Sequence, residues 1–260
     1  MSAVFTCSLD DGHPSDRKAA DLLARHGLRA TFYVPIRNCE GPPVLSSADL
    51  WQLASEFEIG SHTLDHRFLR DLPAAVARRQ VFQGKKILED RLGRRVAGFC
   101  YPGGKFRREH VALAADAGFR YARTITNLRF DAGDRPFEMP TTIQFYPHDI
   151  GIYLRNYLRG DWNRRRAGFA IALSRRNWID RLHALFSHVI RTGGVFHLWA
   201  HSKDIDDLDA WHQFDRFLAH VAAHVAIEDR LDNGQLVARM LPVAARNEPA
   251  QYGPLPRSVK

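Results

Sequence analysis

The chain predicts an α/β fold whose parallel strands close into a barrel, and three observations lead there. β-branched and aromatic runs alternate with segments of helical apolar spacing through the first half of the 260 residues. Repeated βα units of that kind require parallel strands joined by right-handed crossovers. No glycine-rich dinucleotide fingerprint or phosphate loop follows the first run. That favours a barrel, with functional residues expected at the C-terminal ends of its strands.

Val4–Leu9 reads as the first strand. Asp16–His26 has helical apolar spacing, with Ser15 as its cap and Gly27 as its stop. Arg29–Pro35 (RATFYVP) is a strand, Ser47–Phe57 a helix and Glu58–Ser61 a short strand. Pro73–Leu92 predicts a long helix, Val96–Tyr101 a strand, and Glu109–Ala117 a helix stopped by Gly118. Phe119–Arg123 is a further strand, after which the rhythm loosens. Residues 124–150 read as strand and loop, 151–192 as helical and basic, Val195–Trp199 as a strand and Leu208–Ile227 as an amphipathic helix. Residues 1–246 are expected to form one barrel domain, and the Pro-rich tail 247–260 (NEPAQYGPLPRSVK) a flexible end.

A composition of 45% hydrophobic and 25% charged residues is that of a globular protein. No apolar run reaches the roughly 20 residues that span a bilayer, so no transmembrane segment is expected. The start lacks the order of a secretory signal, and the chain is expected to be cytoplasmic. Cys7, Cys39 and Cys100 are widely spaced with no CxxC pair, which argues against a disulfide framework or a cysteine-rich zinc site. The net charge of +8 favours anionic partners, and much of it lies in Arg155, Arg159, Arg164, Arg165, Arg166, Arg175, Arg176 and Arg181. That run lacks a recognition module or a patterned aromatic platform, so nucleic acid is not an expected partner.

Four clusters fall at strand ends. Asp10-Asp11-Gly12 follows the first strand, where two adjacent carboxylates repel each other unless a cation offsets them. Gly60-Ser61-His62-Thr63-Leu64-Asp65-His66 follows the third, and imidazoles four residues apart in one turn can reach a single cation. Phe99-Cys100-Tyr101-Pro102-Gly103-Gly104 has glycines that permit close backbone approach to a ligand. Phe196-His197-Leu198-Trp199-Ala200-His201 ends the last clear strand. One carboxylate with two imidazoles suits a catalytic divalent metal, leaving the neighbouring carboxylate to accept a proton. His197 reads as a hydrogen-bonded core residue, His148 as a loop residue, and His13 and Asp65 as local structure.

In this order and at these separations the motifs resemble those of the polysaccharide deacetylase family (NodB homology, carbohydrate esterase family four), over roughly residues 3–240. The resemblance implies a distorted, incompletely closed (β/α) barrel. It implies Asp10 as general base, Asp11, His62 and His66 as ligands of a divalent metal (zinc first, other transition metals next), and His201 as general acid. Tyr101, Pro102, Gly103, Trp199 and Arg123 are the expected substrate or oxyanion residues. Three departures stand out. Cys100 occupies the place of an arginine that orients the base in many members, and Arg123 is the candidate replacement. Gly103 stands where an aromatic is common, leaving its backbone N–H for an oxyanion. Trp199 stands where a smaller residue lines the acyl pocket. The aspartate that orients the acid histidine has no evident counterpart, Asp131 and Asp134 being weak matches.

The resemblance thus implies a metal-dependent hydrolase that removes an N-acetyl or other N-acyl group from an amino sugar. A cytosolic glycoconjugate, a nucleotide-linked sugar or a lipid-linked precursor is the expected substrate. The last would involve peripheral contact with an anionic lipid carrier. Two alternatives stay open: hydrolysis of a non-sugar amide or cyclic ureide on the same fold, and a catalytically retired barrel that binds an anionic glycan.

Overall fold

Burial sorts the strands before any topology is considered. In a computed structural model, which describes residues 2–158 and 160–240, the first strand β1 (Ala3–Asp10) is buried along nearly its whole length. That is the mark of a parallel strand covered on both faces. It pairs in parallel with β2 (Thr31–Val34) and β7 (Gly194–His201), at the centre of the strand order β5-β4-β3-β2-β1-β7-β6. The remaining strands are β3 (Glu58–Ser61), β4 (Gly98–Cys100), β5 (Tyr121–Arg123) and β6 (Ile143–Gln144). All the paired strands are parallel, so their C-terminal ends share one rim. Among the described residues β5 and β6 do not pair, and the curled sheet stays open there. This is the incompletely closed barrel that the motifs imply.

Register places the chemistry. Asp10 is the partner of His201 across β1 and β7 and of Tyr33 across β1 and β2. Cys100 is likewise the partner of Arg123 across β4 and β5. A slip of one residue would turn these side chains to the opposite faces.

The helices cover the outside. They are α1 (Asp16–Arg25), α2 (Ser47–Glu56), α3 (Ala74–Leu92) and α4 (Arg108–Asp116), followed by α5 (Ile150–Leu158), α6 (Trp162–Leu173) and α7 (Trp178–Thr192). Next come α8 (Ser202–Asp207), α9 (Trp211–His224) and α10 (Asn233–Met240). Several boundaries differ from expectation. Ser15 does not cap α1, because its own backbone is helical and its hydroxyl donates to Asp206. The basic stretch 151–192 is three helices, and Asn177 caps the last by accepting from the N–H groups of Ile179 and Asp180. The helix expected over 208–227 is the shorter α9. A strand β8 (Arg230–Leu231) beside the first half of β1, and the helix α10 after it, carry no apolar run long enough to announce them. The expected tail 247–260, the end of the expected domain over 241–246, and Arg159 lie outside the described residues.

One helix reaches the rim. Gln80, buried on α3, clamps the turn after β3: its amide oxygen accepts from the Asp65 N–H at 2.9 Å, and its NH2 donates to the Asp65 carboxylate at 2.8 Å. At Gly84, one turn on, a Cβ would lie 2.6 Å from the Thr63 carbonyl carbon and 2.7 Å from the Leu64 nitrogen. Helix propensity alone predicts that Gly84→Ala stabilises α3 by about 1 kcal/mol. The backbone clash predicts the opposite sign, a loss of about 1–3 kcal/mol from overpacking, measurable by urea unfolding. Unchanged or raised stability would show that the turn is not held this closely.

Candidate active site

The turns that carry the functional residues are strained. Asp11, Thr63 and His66 have φ of 78°, 71° and 57°, in the left-handed region that non-glycine residues enter at a cost of about 1–3 kcal/mol each. Bonds from the surroundings hold them: Leu45 N–H to the Gly12 carbonyl at 2.7 Å, Arg37 N–H to Leu64 at 3.1 Å, and the Gln80 clamp on Asp65. Asp65 also accepts from Arg37 Nε at 2.5 Å. It braces the turn, as its place between the two histidines suggests.

Strain of this kind gathers three donor atoms. Asp11 Oδ1 lies 3.0 Å from His66 Nε2 and 3.5 Å from His62 Nε2, and ligand atoms of all three residues fall within 4.8 Å of one another. His62 Nδ1–H donates to the Cys100 carbonyl at 2.9 Å, which fixes the tautomer and leaves the Nε2 lone pair facing Asp11. Asp11 Oδ1 is buried with no hydrogen-bond partner. Burial would raise the Asp11 carboxyl, but the adjacent imidazoles of His62 and His66 outweigh it and hold the group well below the usual carboxylate range. An orphaned carboxylate oxygen facing two imidazole nitrogens fits a divalent transition metal. A second grouping, Asp10, His62 and Cys100, fits worse. Burial pushes the Cys100 thiol far up despite Arg123, and its S–H points at Asp10 Oδ2 at 3.7 Å. A protonated thiol is a poor ligand.

Beside the three donors, Asp10 is gripped from below. The guanidinium of Arg123, fully buried, donates to Asp10 Oδ1. Burial disfavours the charged guanidinium, yet Asp10 outweighs that and raises its pKa. Arg123 therefore occupies the space beside Asp10 that Cys100 leaves free. Its remaining faces meet rings, Trp199 at 5.0 Å and Tyr33 at 5.3 Å.

His201 stands across from Asp10. Its Nε2 is 3.9 Å from Asp11 Oδ2, and its Nδ1–H donates to Asp204 Oδ2 at 2.7 Å. Burial lowers His201, but the bond to Asp204 and the charges of Asp11 and Asp10 dominate and push it up to about 9. Asp204 was not singled out in the sequence, and its signal is its spacing, three residues after His201 in the first turn of α8. Asp131 and Asp134 are engaged elsewhere, by Arg129 and Arg164.

The other expected residues divide. Trp199 meets His201 edge to face at 5.3 Å and walls a cavity of about 700 Å³ that Gly103 and Gly104 also line. At Gly103, φ is 58° and a Cβ would sit 2.8 Å from the Phe68 ring. Pro102 is buried and its carbonyl accepts from Lys105 N–H, so it shapes the turn. Tyr101 departs from expectation: its side chain is fully buried, stacks on Phe106 at 4.1 Å and donates its hydroxyl to the Phe137 carbonyl. It walls the core and does not face the cavity. His197 is a core residue, between Ser8 Oγ and the Pro140 carbonyl. His148 reaches the cavity wall, 2.6 Å from Gln144 Oε1.

The rim of this open parallel barrel thus gathers three candidate cation donors, Asp11, His62 and His66, with Asp10 and His201 beside them. Residues 3–122 are more specific: they match the sequence model of the family described as polysaccharide deacetylase. Among curated relatives, the Bacillus subtilis protein YxkH, assigned as a polysaccharide deacetylase, is 23% identical over 119 residues, 45% of this chain and 43% of its own. An uncharacterized Streptomyces coelicolor protein is 30% identical over 115 residues, 44% of this chain and 45% of its own. The chain thus spans less than half the length of either relative. A Mycobacterium smegmatis structure assigned as a polysaccharide deacetylase superposes with a TM-score of 0.63 at 15% identity, covering 92% of this chain and 90% of that one. A mutant of the peptidoglycan deacetylase PdaC from Bacillus subtilis gives 0.53 at 16% identity, covering 90% of each chain. At these identities the likeness is one of fold.

Two outcomes follow from the paired charges. Arg123→Met leaves Asp10 buried without a counter-charge and should lower unfolding stability by about 3–5 kcal/mol. Adding Asp10→Asn should recover part of that loss, and strict additivity would refute the pairing. In metal-free protein, His201 titrated by ring NMR should move from about 9 down toward the ordinary imidazole value in Asp204→Asn. Because the raised pKa favours the folded state at low pH, the stability it contributes is full below the ordinary imidazole pKa. It is lost as pH rises through about 9, and Asp204→Asn should flatten that decline.

Proposed function

We propose that the protein hydrolyses the N-acyl amide of an amino sugar at this rim, with a divalent cation held by Asp11, His62 and His66. The observation that carries the reading is the placement of two opposed proton-transfer groups around one cation site: Asp10 backed by Arg123, and His201 backed by Asp204. A cation bound there, zinc first among candidates, would supply Lewis acidity toward the carbonyl and acidify water. Asp10 takes a proton from the attacking water on Oδ2, the oxygen that Arg123 does not hold. His201, protonated, gives its Nε2 proton to the departing nitrogen, so the products are a carboxylate and an amine. Gly103 offers the oxyanion a backbone N–H, and Trp199 limits the acyl group to a small one such as acetyl.

The cavity supports a substrate that carries phosphate. Lys105 and Arg155 line it with no acidic partner in ion-pair range among the described residues, and Arg70 adds a third cation. A nucleotide-linked or lipid-linked amino sugar matches those charges, and such precursors place the enzyme in the cytoplasm.

Metal analysis followed by acetate release tests the reading. Asp10→Asn should retain the metal while kcat falls by about 10²–10⁴-fold. His62→Ala and His66→Ala should lose the metal as well as turnover. Loss of metal from Asp10→Asn would reverse the two aspartate roles. Lys105→Gln with Arg155→Gln should raise KM about tenfold for a phosphate-linked N-acetylhexosamine and leave the KM for an unphosphorylated glycoside unchanged. Equal effects on both would remove phosphate from the substrate.

A further inference from the structure

Helices α5 and α6 expose apolar side chains that the fold itself does not cover. Ile150, Leu154 and Leu158 recur at every fourth residue of α5 and are 36%, 46% and 63% exposed. They form a stripe on the side away from Ile152, Tyr153 and Asn156, which face the cavity. On α6, Trp162 and Leu173 lie three turns apart on one face and are 57% and 51% exposed. Large exposed apolar groups are ordinary when scattered singly, but a periodic stripe marks a surface that meets something apolar.

The cations are interleaved with it. Arg166 lies between Trp162 and Leu173 on the same face of α6. A groove of about 670 Å³ is lined by Ile150 and Leu173 together with Arg175, Arg176, Trp178 and Asp149, so apolar and basic groups are contiguous there. Arg166, Arg175 and Arg176 have no acidic partner in ion-pair range among the described residues, whereas the neighbouring Arg164 pairs with Asp134. The two neighbouring arginines that are buried serve the fold instead: Arg165 donates to the carbonyls of Asn127, Asn156 and Gly160, and Arg181 to those of Ala172, His148 and Arg175.

We infer that this α5–α6 face docks on the surface of an anionic lipid bilayer. Leucine, isoleucine and tryptophan side chains enter the headgroup and acyl boundary, while arginines beside them pair with lipid phosphates. Charge decides against the other occupants. A second copy in a two-fold pairing would set the same arginines against each other in a molecule of net charge +8. Nucleic acid would match the arginines and leave the aliphatic stripe bare. No helix among the described residues is long and apolar enough to cross a membrane, so the contact is peripheral.

Sedimentation of the whole protein with vesicles tests this without reference to catalysis, so its failure leaves the amide-hydrolase reading standing. The protein should partition onto phosphatidylglycerol-containing vesicles and not onto pure phosphatidylcholine, and high salt should release it. Leu154→Glu with Leu158→Glu should weaken partitioning at least about tenfold. Arg166→Gln, Arg175→Gln and Arg176→Gln together should weaken it on anionic vesicles. Trp162 emission should shift to the blue on binding, a change absent in Trp162→Phe. All these positions are exposed, and far-UV circular dichroism of each variant checks its fold. No partitioning, equal partitioning of the leucine variant, or a dimer that the leucine substitutions dissociate would each overturn the inference.

Discussion

A guanidinium and a carboxylate withdrawn together from water, Arg123 on Asp10, constrain the rest of the site. At 0% and 3% exposure, neither charge could stand alone in the interior, where a lone ion costs several kcal/mol even after relaxation. The pair needs room and cover. Cys100, partner of Arg123 across β4 and β5, supplies the room, being too small to fill the space beside Asp10. Trp199 and Tyr33 supply the cover, their rings facing the parts of the guanidinium that make no hydrogen bond. Cys100 and Trp199, two points at which the chain departs from the pattern its motifs resemble, both border this pair.

A second constraint acts on the imidazole turn. Left-handed backbone at Thr63 and His66 would relax if the turn were free. It is not free, because Gln80 holds Asp65 at two points and Gly84 lets α3 press directly on the Thr63–Leu64 peptide. The His62 ring is held separately through the Cys100 carbonyl. Orientation of the donors therefore comes from α3 and β4, elements that contribute no donor themselves, which is how ligand sets are fixed in preorganised sites.

Much of this was legible in the chain. β-branched runs and helical spacing marked β1 through β5, because those strands are long or apolar enough to carry a period. Asp10, Asp11, His62, His66 and His201 were readable because each follows such a run directly. What escaped was either short or relational. β8 has two residues and depends on its neighbour for existence. Asp204 sits in an acidic stretch, Asp204, Asp206 and Asp207, where only the position of His201 distinguishes one carboxylate from the next. Arg123 could be guessed from the vacancy at Cys100, but its contact with Asp10 is a matter of strand register. Tyr101 misled because alternation along so short a strand, followed by a turn, does not tell which side of the rim its ring takes.

The same limit explains the arginines between residues 155 and 181, which by composition form one basic patch. The structure separates them by what they touch. Arg165 and Arg181 are buried and tie carbonyl groups of neighbouring helix ends and loops, a task for which a five-donor fork is suited and a lysine is not. Arg164 pairs with Asp134. Among the other described arginines Arg155 lines the cavity, while Arg166, Arg175 and Arg176 lie among exposed leucine, isoleucine and tryptophan side chains. Because α5 turns one side to the cavity and the other to solvent, whatever covers its outer side also sits within one helix diameter of the cavity that Trp199 walls. Recognition of a surface and recognition of a substrate are in this way joined by a single helix.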